Sequence, residues 1–260
     1  MIRILSLALG LAWVATPLGA QQSLPPPNPA LLESVDPDQR RVTEEIVRDY
    51  LLRHPEIVLE AIRILQAREQ AVADEQAAQA MAAGADALRS DPLSPVGGNP
   101  EGDVTVVEFF DYACPYCRNA HPLLSKLMTA DANIRIVYKE YPILGEASVY
   151  ASRVALAVFL LEPQKYERFH ANMFQTRGRL AAETAVQVAL DLGLDRSRLM
   201  QTAESDEVSA ILTSNVKLAQ SIGINGTPAF VIGDSIVPGL VPLEQLQALV
   251  SEARESCRTC

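Results

Sequence analysis

Apolar residues recur at helical spacing from Asp38, at Val42, Ile46, Val47, Tyr50 and Leu51, which predicts an amphipathic helix ended by Pro55. A second helix follows with Val58, Ile62 and Leu65, and runs into an Ala, Gln and Glu-rich stretch over 67–87 that favours helix but holds few large apolar groups. Residues 91–100 contain Pro92, Pro95, Gly97, Gly98 and Pro100, the composition of a boundary between an arm and a main domain. Beyond it, 104–110 is β-branched and aromatic enough for a buried strand. A helical pattern follows through His121, Leu124 and Leu127, and then a second strand at 134–138. Residues 146–219 are mainly helical in pattern. Strands return at 229–232 and 235–237, and a last helix beginning near Pro242 carries Leu243, Leu246, Leu249 and Val250. The order is strand, helix, strand, helices, strand, strand, helix, an α/β domain behind a helical arm. No internal repeat is found.

The start of the chain changes this picture. Met1-Ile2-Arg3, an apolar run over 4–14 and a small-residue segment ending at Ala20 have the order of a secretory signal peptide at 1–20, with cleavage expected after Ala20. Leu18 is larger than the residue usual three positions before the cut. Pro25, Pro26, Pro27 and Pro29 then make an extended tether. Export places the protein under oxidising conditions, where cysteine pairs form disulfides that persist.

Composition narrows the function. With 48% hydrophobic and 21% charged residues among 260, the chain is neither disordered nor a multi-span membrane protein. A formal charge of −10 repels a phosphate backbone, so no nucleic-acid partner is expected. Four cysteines are too few for a disulfide scaffold, but they fall as two C-x-x-C pairs, Cys114 with Cys117 and Cys257 with Cys260.

Cys114-Pro115-Tyr116-Cys117 lies where the first strand of the main domain passes into a helix, beside the free N–H groups of the helix start. A thiolate there can attack a disulfide, and a thiol one helical turn on can resolve the mixed disulfide. Pro115 suits the first helical turn and Tyr116 modifies the local environment, so both are candidates for tuning the redox pair. A structural disulfide and a four-cysteine zinc site are the competing readings, though neither requires a strand-to-helix placement. Thr227-Pro228 directly precedes a strand, and since proline is excluded from a strand interior it marks the strand's start, where a cis bond fits a turn.

The run VEFFDYACPYC at 107–117, VYKEYPI at 137–143 and GTPAF at 226–230 together resemble the thioredoxin-fold DsbA family of periplasmic thiol:disulfide oxidoreductases, over residues 93–256. The resemblance implies a thioredoxin-like fold with an inserted helical domain at about 146–219, and needs no cofactor or metal. By the same resemblance Cys114 is the exposed nucleophile, Cys117 the buried resolving thiol, and Pro228 a cis-proline facing them. Thr227 then offers backbone groups to an extended substrate. Glu108 matches a buried acid that moves protons to and from the resolving cysteine; a half-buried strand carboxylate is the bland reading of the same residue. The arm at 21–90, with YLLRHPEIV at 50–58, resembles the subgroup of suppressor-of-copper-sensitivity C proteins, whose helical extension can drive oligomerisation.

The resemblance implies action on cysteine-containing exported proteins in the periplasm, a membrane-embedded thiol-disulfide redox partner, and a homo-oligomer through 38–87. It favours disulfide isomerase or reductase, with a monomeric dithiol oxidase and a copper-binding periplasmic protein as alternatives. Cys257 and Cys260, in the tail 257–260, have three readings: a local or idle pair, a shuttle to Cys114–Cys117, or a soft Cu(I) clamp. His54, His121 and His170 read as structural, with His121 one turn beyond Cys117 and able to tune the site.

Overall fold

The computed structural model describes residues 36–256, apart from 177 and 179. The signal segment, the proline tether and the pair Cys257 and Cys260 lie outside the described residues. The chain divides into two compact units, one ending at residue 66 and one from residue 67 onward.

In the first unit, helix α1 spans Pro37–Arg53. The Asp36 carboxylate caps it by accepting the Asp38 and Gln39 N–H groups, and Pro37 takes the first turn, where a missing N–H costs nothing. Helix α2, Glu56–Ala83, starts directly after Pro55. No residue of α1 is buried: Val42, Ile46, Val47, Tyr50 and Leu51 form the predicted apolar set, and Ile46 is 62% exposed. The polar positions are tied by surface pairs such as Arg40–Glu44 and Arg53–Asp49, each four residues apart.

In the second unit the tail of α2 is followed by α3, Ala85–Arg89. A five-stranded sheet is built from β1 (Val96–Gly98), β2 (Val104–Phe110), β3 (Ile134–Glu140), β4 (Ala229–Ile232) and β5 (Ser235–Pro238), in the order β1-β3-β2-β4-β5. Only β2 and β3 run parallel, and α4 (Pro115–Ala130) crosses between them. Helices α5 (Glu146–Leu161), α6 (Pro163–Gln175), α7 (Ala182–Asp191), α8 (Arg196–Ala203) and α9 (Asp206–Ser221) form the helical insertion. Helix α10, Leu243–Ser256, closes the fold. This is the expected thioredoxin-like arrangement.

Every residue of β2 is buried, because both faces of the sheet are covered. Val106 and Phe110 face a core with Leu124 of α4 and Phe169 of α6. Val107 and Phe109 face a second core with Met81, Leu88, Ile222 and Ile224. Side chains alternate along a strand, so Glu108 shares the face of Val106 and Phe110.

The stretch expected to separate arm from domain departs from that reading. Val96, Gly97 and Gly98 pair antiparallel with Val137, Ile136 and Arg135. The buried Lys139 ammonium donates to Asp91 at 2.9 Å and to Ser94 at 2.6 Å, and the Arg89 guanidinium donates to the Gly233 carbonyl. Residues 81–98 are therefore part of the packed body, with Met81 and Leu88 adding apolar cover to the second sheet face beside Ile222 and Ile224.

Candidate functional site

At the end of β2 the chain turns at Asp111, whose carbonyl accepts the Cys114 N–H at 3.0 Å. Cys114 is the N-cap of α4, with extended backbone angles and no side-chain cap on the helix, and Pro115 occupies the first turn. Thr227–Pro228 is a cis peptide, and the Cys114 thiol donates to the Thr227 carbonyl at 3.2 Å. Gly239 N–H holds the Pro228 carbonyl at 2.8 Å. The sheet thus brings together two motifs more than a hundred residues apart. Pro115 and Tyr116 are exposed beside the dithiol, Tyr116 by 60%.

Cys114 was expected to be the exposed cysteine. It is only 4% exposed, because the Thr227 carbonyl covers its sulfur. Cys117 is fully buried, one turn into the helix. Burial, and next the charge of Glu108, push its thiol well above the usual range, against a hydrogen bond with the Asp111 backbone. Glu108 itself is fully buried, neither carboxylate oxygen has a hydrogen-bond partner, and burial pushes it up to about 8.

Several further residues surround the site. Tyr112 OH and His170 Nδ1 are 3.1 Å apart, and His170 packs against His121 with ring centroids 5.3 Å apart. Burial holds both imidazoles below their usual range, His170 further than His121. Glu140, also fully buried, accepts from Ser152 at 2.7 Å and Tyr166 at 2.9 Å, and burial lifts it to about 8 against those two bonds. The adjacent charges of Lys139 and Glu140, at the end of a strand that otherwise holds only Arg135 as a charged residue, were the available signal. Among the described residues no group of three His, Cys, Asp or Glu side chains is arranged to hold a metal ion.

A cleft of about 520 Å³ borders the cis-proline turn, lined by Thr227, Pro228, Asn225 and Pro238 on one side and by Ala73 and Asp74 of α2 on another.

The sequence profile of the DSBA-like thioredoxin domain matches residues 105–251, more than half of the chain, including the cysteine pair, Glu108 and the cis-proline turn. The chain belongs to the DSBA-like thioredoxin domain family. Within this DsbA-like protein a second profile, the copper resistance protein ScsC N-terminal domain, matches residues 39–71. A thioredoxin-like oxidoreductase from Silicibacter pomeroyi DSS-3 is 48% identical, with a TM-score of 0.63 over 66% of this chain and 98% of that one. Proteus mirabilis ScsC in a transitional conformation is 32% identical, with a TM-score of 0.62 over 86% of this chain and 100% of that one. The thiol:disulfide interchange protein DsbA of Bordetella pertussis is 29% identical over 146 residues, 54% of this chain and 68% of that protein. A Na(+)/H(+) antiporter NhaA 1 of Salinispora arenicola is 30% identical over 159 residues, 61% of this chain but 24% of that protein, so the DsbA-like chain spans about a quarter of the antiporter's length.

Proposed function

We propose that this protein is a periplasmic thiol:disulfide oxidoreductase that acts on protein disulfides through Cys114 and Cys117, in the direction of isomerisation or reduction. The observation that carries the reading is the position of Cys114 Sγ, at the uncapped start of α4 and 3.2 Å from the Thr227 carbonyl. A helix N-terminus favours the negative charge that develops on sulfur as the thiol gives up its proton.

The Cys114 thiolate attacks one sulfur of a substrate disulfide, that S–S bond breaks, and the departing substrate thiolate takes up a proton. Cys117 then loses its proton and attacks Cys114 Sγ. The second substrate thiolate leaves, and the substrate has gained the two electrons that the Cys114–Cys117 dithiol has lost. In isomerisation Cys117 does not intervene: the freed substrate thiolate attacks another disulfide of the same substrate, the thiolate released there attacks the substrate sulfur of the mixed disulfide, a new substrate disulfide forms, and Cys114 leaves as the thiolate. Glu108, on the face of β2 that looks toward α4 and without a hydrogen-bond partner, is the group suited to take the Cys117 proton. The turn at Thr227 offers backbone groups to an extended substrate segment.

Two features support isomerase or reductase over oxidase: the unburied apolar stripe of α1, and the match of residues 39–71 to the ScsC N-terminal domain. That stripe suits association with further copies of the chain, which would present several dithiols to one misfolded exported protein. A membrane-embedded thiol-disulfide partner would return the dithiol to its working state. The likeness to Bordetella DsbA favours the second reading, a monomeric dithiol oxidase.

Light scattering decides between them, performed with and without residues 21–66 and alongside refolding of a scrambled-disulfide substrate. Truncation stops at 66 because the second compact unit begins at 67. An oligomer that unscrambles, reduced by truncation to a monomer that only oxidises, is the expected result. Monomers in both cases leave the oxidase reading.

A further inference from the structure

Asp111 is completely buried, and its carboxylate acts as an acceptor throughout: Oδ1 takes the Ala113 N–H at 2.8 Å, and Oδ2 takes the Ile143 N–H at 2.9 Å and the Leu144 N–H at 3.0 Å. Its main chain is committed as well. The carbonyl accepts the Cys114 N–H at 3.0 Å. One residue therefore holds the backbone of Ala113, the backbone of the first cysteine, and a segment some thirty positions away.

We infer that Asp111 is a positioning residue for thiol-disulfide exchange, the carboxylate that locks the dithiol turn to the segment at 143–144. The inference rests on the reading of Cys114 and Cys117 as the exchanging pair. A carboxylate is the side chain this place requires. It offers two oxygens with about four lone-pair sites and no hydrogen, whereas an amide accepts at one oxygen only and turns its NH2 toward the remaining donors. Removing the acceptor altogether takes away the shared partner of three partly buried backbone N–H groups, and the turn must move to satisfy them. The Ala113 and Cys114 N–H groups are both taken up by Asp111, so that movement shifts Cys114 Sγ relative to the Thr227 carbonyl. The partner segment is not inert scaffold either: Ile143 is 40% and Leu144 53% exposed, so the lock joins the dithiol to an apolar surface that a substrate can meet.

The test uses the full chain as wild type, Asp111→Asn and Asp111→Ala, with a mixed disulfide of glutathione and a fluorescent peptide as substrate. Asp111→Ala is expected to lower kcat about 10- to 100-fold, the effect of misplacing a reacting group by about an ångström, with little change in KM. Asp111→Asn, which keeps one acceptor, is expected to recover part of that loss. An Asp111→Ala protein that folds and turns over at the wild-type rate overturns the inference.

If Asp111→Ala does not fold, the wild type decides: the Ile143 and Leu144 amide resonances are expected to move when the dithiol is oxidised, and unmoved resonances overturn the proposal. A wild-type chain that does not exchange at all overturns the reading of the dithiol instead, and the amide comparison after chemical oxidation still decides the role of Asp111.

Discussion

Arg118, the residue after Cys117, donates from its guanidinium to the Phe174 carbonyl at 3.0 Å and also to the Thr176 carbonyl. The helix that carries the dithiol is thereby fastened to the end of α6, which belongs to the helical insertion. Removing the guanidinium leaves two partly buried carbonyls without their charged donor. Arg118→Ala is expected to cost about 2 kcal/mol, the scale of hydrogen bonds to a charged group, and to lower Tm by roughly 5 °C. Thermal unfolding followed by circular dichroism measures it, and an unchanged Tm would show that the fastening contributes nothing.

The order of attack is open to direct trapping. With Cys257 and Cys260 replaced by Ser, Cys117→Ala is expected to accumulate a covalent substrate adduct on Cys114, because the resolving thiol is gone. Cys114→Ala is expected to form none. Mass spectrometry of the acid-quenched reaction distinguishes these, and an adduct on Cys117 in the second variant would reverse the assigned roles.

Glu108 makes stability depend on pH. Burial raises its folded value from the usual 4.5 to about 8, so below the lower value both states hold the proton and its contribution to stability is complete. As pH rises toward 8 the unfolded chain releases the proton while the folded chain keeps it, and stability falls. Glu108→Gln removes this loss. Urea unfolding at several pH values is expected to show the variant gaining on the wild type, by a few kcal/mol, between pH 4.5 and 8. The same variant is expected to slow release of the second substrate thiol. Parallel stability curves for the two proteins would refute the titration of Glu108 in this window.

Lys139 joins the sheet to the turn before β1 through Asp91 and Ser94, and its side chain is 1% exposed. Lys139→Met leaves the Asp91 carboxylate without its charged partner and is expected to cost about 3 kcal/mol, at the low end for a broken buried pair because Asp91 is 24% exposed. Chemical denaturation monitored by tyrosine fluorescence reads this directly, and stability equal to wild type would mean that the pair only offsets its own desolvation.

The dithiol was legible because three local signals agree: a β-branched strand, a C-x-x-C pair directly after it, and a proline suited to a helix start. The helical pattern over 146–219 was legible from period, and its being an insertion came from the family resemblance. β1 was not, since Val96, Gly97 and Gly98 have the composition of a linker. Both glycines are there for space: a Cβ on Gly97 would come within 2.7 Å of the Tyr138 hydroxyl, and one on Gly98, at φ +68°, within 2.6 Å of the Ile134 carbonyl. Asp111 and Arg118 were passed over, and His170 was read as structural with no partner named, for a different reason. Their partners are backbone amides, backbone carbonyls and a tyrosine 30 to 60 positions away, and such contacts leave no periodicity behind. Cys114 was read as exposed because the carbonyl that covers it comes from the far side of the insertion.

The two outer strands bear on how the proposed exchange with partly unfolded chains avoids aggregation. A protein that handles partly unfolded chains meets, at every encounter, segments searching for a free strand to extend. β1 has three residues, two of them glycine, and β5 has four and ends in Pro238, which has no N–H to give. Neither border is long enough to template the growth of a foreign sheet, so under the proposed function these edges offer a partly unfolded substrate little to extend.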